Sequence, residues 1–336
     1  MINFYLSICI LIAAYGLNKI FIKNNFLLNF SGDAHQKFVN KKKVPLIGGI
    51  LIFVVYTILF FEKIEKELFL LFMSVFTIGL LSDIKFFKSA IIKLILQIIV
   101  IYFFIYVIQL SLNSTRVYLI DNLNQNIYFN YLFVTFCIII LINGSNFIDG
   151  LNGLALGYFI IILLILHYNK FIFLDNSSNQ TFFICLFIIL ILNLCNNLFL
   201  GDSGSYLLGI YFGYLLIDIF NTNLISPFFI ILLLWYPCFE LLFSIIRKLD
   251  FKKSPMEPDT NHLHQLIYYF FYKNFSKKKY LANNISSLII NFYNLIIFYI
   301  GSQNFKSSES QIILILISLI LYCLIYRKLL KWKAKY

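Results

Sequence analysis

Apolar runs of close to twenty residues recur along the whole chain, separated by short polar stretches. A helix of about twenty residues, rising 1.5 Å per residue, spans the hydrocarbon core of a bilayer. The pattern therefore predicts an all-α integral membrane protein of about eleven transmembrane helices. They fall roughly at 3–22, 46–61, 67–82, 91–110, 131–143, 153–167, 181–199, 206–220, 227–246, 284–300 and 311–326. The first run, Asn3–Ile22, has neither a basic leader nor a small-residue cleavage site, so it is read as a retained helix rather than a signal peptide. Residues 1–336 read as one polytopic domain.

Composition agrees with this pattern. Of the 336 residues 61% are hydrophobic and 12% charged, against about 25% charged in a soluble domain. The six cysteines all lie in apolar runs with no metal-ligand spacing, so they read as packing residues. The basic residues then orient the chain. The loops after the first, third, ninth and eleventh runs hold six, three, eight and five of them, 22 of the 27 Lys and Arg in all. Basic loops stay in the cytoplasm, so the N-terminus is expected outside and the C-terminus in the cytoplasm. That bias, with attraction to the anionic surface of the lipid bilayer, accounts for the net charge of +12; no nucleic acid is called for.

The same parity puts five polar stretches on the cytoplasmic side, giving candidate catalytic loops at 23–45, 82–93, 143–153, 200–205 and 247–283. The only acids well inside runs are Asp218 and Glu240, whereas a secondary transporter would place polar groups near the midplane. In Leu200–Gly209, LGDSGSYLLG, Asp202 sits among two hydroxyls, Ser203 and Ser205, and two glycines. A carboxylate at the mouth of a membrane needs a cationic or hydrated partner, and a hard ion such as Mg²⁺ shared with phosphates fits. The competing reading is that Asp202 or Ser203 simply caps the next helix. In Asn143–Gly153, Asn143, Asn146, Asp149 and Asn152 recur at every third position, suited to a base, a ribose or an N-acetyl group; an ordinary helix end is the alternative. His262 and His264 follow Asp259 in the largest inner loop. Their i, i+2 spacing with no third ligand nearby argues against zinc and suits binding phosphate or polarising a leaving pyrophosphate; an exposed pair without a role is the alternative.

Five motifs in order resemble those of the polyprenyl-phosphate N-acetylhexosamine-1-phosphate transferases, within glycosyltransferase family 4. They are DAHQKFVNKKKVPLIGG, SDIKFFKSAIIKLILQ, NGSNFIDGLNGLA, FLGDSGSYLLG and SPMEPDTNHLHQL. Glu240 and Arg247 stand where members carry an acid and an arginine. The resemblance implies transfer of a hexosamine-1-phosphate from a UDP-sugar donor to a polyprenyl phosphate acceptor, releasing UMP, at the start of cell-envelope polysaccharide synthesis. It implies Mg²⁺, with Mn²⁺ the alternative, held by Asp202. It also implies catalytic roles for Asp83, Asp149, Asp202, His262 and His264. Substrate contacts would come from Lys43, Lys85, Lys93, Asn143, Asn146, Asn152, Ser203, Arg247 and Asp259. The chain departs from the pattern at Ser82, where the first acid of a pair is usual, at Asn152 for a second acid, at Thr260 for a common arginine and at Gln265 for a histidine. An alcohol takes up no proton at neutral pH, so Asp83 or the lipid phosphate itself would have to serve where Ser82 stands. Phospho-MurNAc-pentapeptide transfer, a transporter and an inactive scaffold are the other readings, and the oligomeric state stays open, a homodimer included.

Overall fold

The computed structural model describes residues 2–28, 43–87, 89–174, 176–250, 252, 254 and 260–335, with side chains from Ile8 onward. Among these residues the chain is helical throughout, with one isolated bridge between Leu28 and Pro45. Eleven helices follow the eleven predicted runs in order. They are α1 (Ile2–Lys23), α2 (Gly48–Phe60), α3 (Lys66–Asp83), α4 (Ala90–Ile108), α6 (Ile127–Ile148), α7 (Leu154–Tyr168), α8 (Ser177–Leu194), α9 (Gly201–Thr222), α10 (Pro227–Asp250), α12 (Lys279–Gln303) and α13 (Ser308–Lys333). Seven of them (α4, α6, α8, α9, α10, α12 and α13) are long and apolar enough to cross a bilayer, and α2 and α7 are shorter apolar helices. The protein is a multi-pass, all-helical membrane protein.

Two short helices, α5 (Tyr118–Asn124) and α11 (Leu263–Asn274), fall in stretches that read as loops. Boundaries also moved. The 181–199 run breaks at Leu194, where Asn196 takes a left-handed φ of 56°, a conformation asparagine tolerates better than most residues. The chain then runs extended, and the carbonyls of Phe199 and Leu200 accept the N–H groups of Gly48 and Gly49. The 131–143 run starts earlier, capped by Asn126, and continues to Ile148. Gly144 does not end it, because that glycine lets the backbone of α10 come close: a Cβ there would lie 2.4 Å from the Pro237 carbonyl oxygen.

Helix α9 is the axis. Of its apolar window 78% is buried, against 17% for α4 and for α13. Helices α2, α3 and α6 surround it at backbone distance. A Cβ at Gly49 would sit 2.3 Å from the Gly204 nitrogen, and one at Gly79 2.5 Å from the Ser203 Cα. In lipid, where water does not drive apolar faces together, small residues at crossings supply the packing energy. Further along, Tyr56 meets Phe72, Phe182 and Tyr211 edge to face, and Phe182 packs tilted on Tyr211, joining α2, α3, α8 and α9. On the other flank the Trp235 indole N–H donates to Asn294 Oδ1 at 2.9 Å, linking α10 to α12. These crossings fix which helix ends meet, and so where the polar stretches assemble.

Replacing Gly79 by alanine forces backbone apart from backbone and is expected to cost about 1–3 kcal/mol. That loss reads as a lowered thermal unfolding midpoint of the detergent-solubilised protein. Gly16→Ala on α1, where nothing lies within 4 Å of the added Cβ, serves as the control and should leave the midpoint unchanged or slightly raised. Equal midpoints for the two variants would contradict the glycine crossing.

Candidate active site

The first turn of any helix leaves backbone N–H groups without partners inside the helix. Helix α9 fills this need from its neighbours. Its own N-cap residue, Leu200, supplies no side-chain bond. Instead Asp83, at the end of α3, accepts the Asp202 N–H at 2.8 Å and the Ser203 N–H at 3.0 Å, one on each carboxylate oxygen. Asp149, at the end of α6, faces the Gly201 N–H, which favours its charged form. Gly201 has φ of 76°, and a Cβ there would lie 2.8 Å from an Asp83 oxygen, so both its conformation and its setting call for glycine.

With the cap supplied from outside, Asp202 is not the capping residue. One of its carboxylate oxygens accepts from the Ser82 hydroxyl at 2.5 Å and from the Lys93 ammonium at 3.2 Å, and the other accepts from the Asn146 amide at 2.9 Å. The Lys93 ammonium also lies over the Tyr206 ring, 5.5 Å from its centre. Four helices thus contribute to one point: α3, α4, α6 and α9.

The histidine loop closes over this point. Glu240, buried in α10, accepts the Leu263 N–H at 3.1 Å and lies 3.0 Å from His262 Nδ1. An ionised carboxylate only accepts, so the shared proton belongs to the ring nitrogen. His262 caps α11, and its N–H donates to the Gln265 side chain at 3.3 Å, which gives the departure at Gln265 a structural role. The His264 ring stacks on His262 with centres 5.5 Å apart. A Cβ on Gly150 would come 2.7 Å from His264 Nε2, which sets the loop beside Asp149.

Charge is crowded here. Burial, then repulsion from Asp202, pushes the Asp83 carboxyl up to about 7, against the opposing pull of the N–H groups it accepts. Burial raises Asp149 well above the usual carboxylate range, with the charges of Asp202 and Asp83 adding to it. Three acids and one lysine share this point, two of the acids held toward their protonated form, and the acids' donor atoms are all hard oxygens. Among the described residues no three His, Cys, Asp or Glu side chains close on one position. Such a set suits an ion that takes one or two carboxylates and fills its shell with phosphate and water, as Mg²⁺ does.

A sequence model of glycosyl transferase family 4 matches residues 67–220, from α3 through α9. Over 290 residues the chain is 30% identical to the undecaprenyl-phosphate alpha-N-acetylglucosaminyl 1-phosphate transferase of Thermotoga maritima, covering 85% of this chain and 86% of that protein. The chain belongs to glycosyl transferase family 4. Similarity extends to the phospho-N-acetylmuramoyl-pentapeptide-transferase of Prochlorococcus marinus, 30% over 279 residues, covering 74% of this chain and 76% of that one. It extends also to the decaprenyl-phosphate N-acetylglucosaminephosphotransferase of Mycolicibacterium smegmatis, 29% over 154 residues, covering 38% and 37%.

The site of this family 4 chain draws together Asp83, Lys93, Asn146, Asp149 and Asp202, with His262 and His264 alongside. Other expected residues are placed differently. Asn143 donates to Gln97 at 3.0 Å and to the Ile139 carbonyl at 2.9 Å, bracing α6 against α4. Asn152 is tied to Asn196 at 2.6 Å and, through its N–H, to Asn283 at 2.8 Å. The Ser203 hydroxyl is buried against Gly49. Lys43 donates to Asn25 at 2.5 Å, Lys85 is exposed just past Asp83 with φ of 63°, and Arg247 donates to Ser244 at 3.3 Å. Asp259 lies outside the described residues, as do Lys41, Lys42 and Lys88. Sequence reasoning gave no role to Gln97, although it follows Lys93 by four residues and so shares its helix face. Asn283 carried no local signal at all, since its partner is 131 residues away.

Asp83→Ala strands two N–H groups at the start of α9 and is expected to cost about 1–2 kcal/mol. Asp83→Asn keeps one acceptor and should cost less. The check is the order of the unfolding midpoints, wild type above Asn above Ala; midpoints that coincide would remove Asp83 from the cap.

Proposed function

We propose that this protein transfers an N-acetylhexosamine-1-phosphate, N-acetylglucosamine-1-phosphate first among the candidates, from a UDP-sugar to a polyprenyl phosphate. The observation that carries the reading is the meeting of Asp83, Asp149, Asp202 and Lys93 at the N-terminus of one helix, with a histidine pair beside them. A phosphate oxygen of the lipid attacks the β-phosphorus of the donor; the bond from that phosphorus to the bridging oxygen breaks, and UMP leaves with the oxygen. Phosphoryl transfer of this kind depends on positioning and charge neutralisation more than on covalent help from the protein.

Asp202 and one neighbouring acid would hold Mg²⁺, which when bound neutralises diphosphate charge. Lys93 supplies the cation of the site and a donor for phosphate oxygens. Asn146 orients Asp202 on one side and Ser82 on the other, so the hydroxyl in place of an acid acts as a hydrogen-bond donor. Asp83 has both oxygens committed to α9 and so serves to hold the Asp202 turn rather than to take a proton. No protein base is required, because a phosphate monoester loses its second proton at a pKa of about 6. His262, held by Glu240, and His264 face the Asp149 turn, where donor phosphates or sugar would lie. The basic-loop bias supports the topology in which all eleven runs cross the bacterial cytoplasmic membrane, with the N-terminus outside and the site and C-terminus on the cytoplasmic face.

In membranes given UDP-GlcNAc, Mg²⁺ and undecaprenyl phosphate, Asp202→Asn is expected to lower lipid-linked product by at least about hundredfold, the scale for losing one preorganised electrostatic group. Unchanged product would end this assignment. Chelation should abolish transfer, with Mg²⁺ or Mn²⁺ restoring it. The Prochlorococcus relative makes UDP-MurNAc-pentapeptide the competing donor, and a faster reaction with it would move the chain to that branch.

A further inference from the structure

Helix α13 crosses the outside of the bundle, yet one face of it is built with care. Gln311, Ser318, Tyr322 and Tyr326 are buried at spacings of seven, four and four residues, the repeat of a single helix face. Tyr322 and Tyr326 pack edge to face on Phe243 of α10, and the Tyr322 side chain lies against Glu240, which holds His262. The helix runs on to Lys333, seven residues or about 10 Å past the end of the apolar run at 326. Seven residues return the chain to the same face, and there Lys333 meets the histidine loop. Its ammonium donates to the Thr260 carbonyl at 3.0 Å and to Asn261 Oδ1 at 2.9 Å, with the Thr260 hydroxyl at 3.5 Å and the Tyr269 ring centre at 4.7 Å. Beside it Trp332 packs on Phe270 of α11.

An ammonium has three N–H donors, and here a carbonyl, an amide oxygen and a ring face surround it. Residues 260 and 261 immediately precede His262. The positive-inside bias accounts for cations past the end of this run, but not for one seated among acceptors on the histidine loop. We propose that α13 is a splint for the histidine loop and that Lys333 is its positioning residue, fixing residues 260–261 so that His262 and His264 stay over the Asp149 turn. Two points of α13 fix the loop: Tyr322 lies against Glu240, and Lys333 holds the residues that lead into His262. The functional consequence rests on the transferase reading; the clamp itself does not.

The test uses the full-length protein in nanodiscs. Lys333→Met is expected to speed amide hydrogen exchange across 260–266 about tenfold, as for loss of a charge-assisted hydrogen bond. The turnover number for transfer should fall by a similar factor while KM for the lipid phosphate holds, and Lys333→Arg should restore both. If Lys333→Met does not fold, Lys333→Gln, which keeps a donor without the charge, takes its place and is expected to lie between. Unchanged exchange at 260–266 overturns the clamp whether or not the protein is a transferase, and so does an Arg variant as defective as Met. Faster exchange in a protein whose wild type transfers nothing supports the clamp and overturns the proposed function.

Discussion

Everything in this structure converges on the N-terminus of α9. A helix start presents unpaired N–H groups and the positive end of the helix dipole; here the Asp83 carboxylate at the end of α3 accepts two of them, and Asp149 at the end of α6 faces a third. That arrangement does two things with the same atoms. It joins three helices at their ends without an apolar contact, and it concentrates negative charge where Asp202 then projects from the first turn. The glycines at 49, 79 and 204 are the condition for it. Only their missing side chains let α2 and α3 come near enough for Asp83 to reach across.

The charge balance follows from that geometry. Three acids crowd together against Lys93, and burial with mutual repulsion raises two of them. A hydroxyl at Ser82 in place of a further acid relieves part of the repulsion and contributes a donor to Asp202. Under the proposed function a hard cation and a phosphate would arrive together, each offsetting charge that the other brings.

The histidine loop is held by a separate set of contacts. Glu240 orients His262, Gln265 closes the helix cap, and Lys333 of α13 holds Thr260 and Asn261 just before them. A loop joined at several points loses little entropy when substrate arrives, because most of its freedom is already gone. The polar ladder of Asn152, Asn193, Asn196 and Asn283 does the same for the turn after Asp149.

The sequence by itself determined what depends on composition and local spacing. Runs of apolar residues located the helices, because a bilayer admits no other way to satisfy the backbone of a single span. Motif order located Asp83, Lys93, Asn146, Asp149, Asp202 and the histidine pair. Tertiary structure alone decided which polar residues share a pocket and which brace the scaffold. Asn143 and Asn152 lie in phase with Asn146 and Asp149, yet the Asn143 amide meets Gln97 of α4, and because α6 ends at Ile148 and the chain turns, Asn152 meets Asn196 just past α8 and Asn283 of α12. Whether Asp202 caps a helix or faces the site was open in the sequence for the same reason: the answer hangs on Asp83, a residue 119 positions away. Contacts across such separations are set by how glycine faces and aromatic rings let helices cross, and no local pattern encodes that.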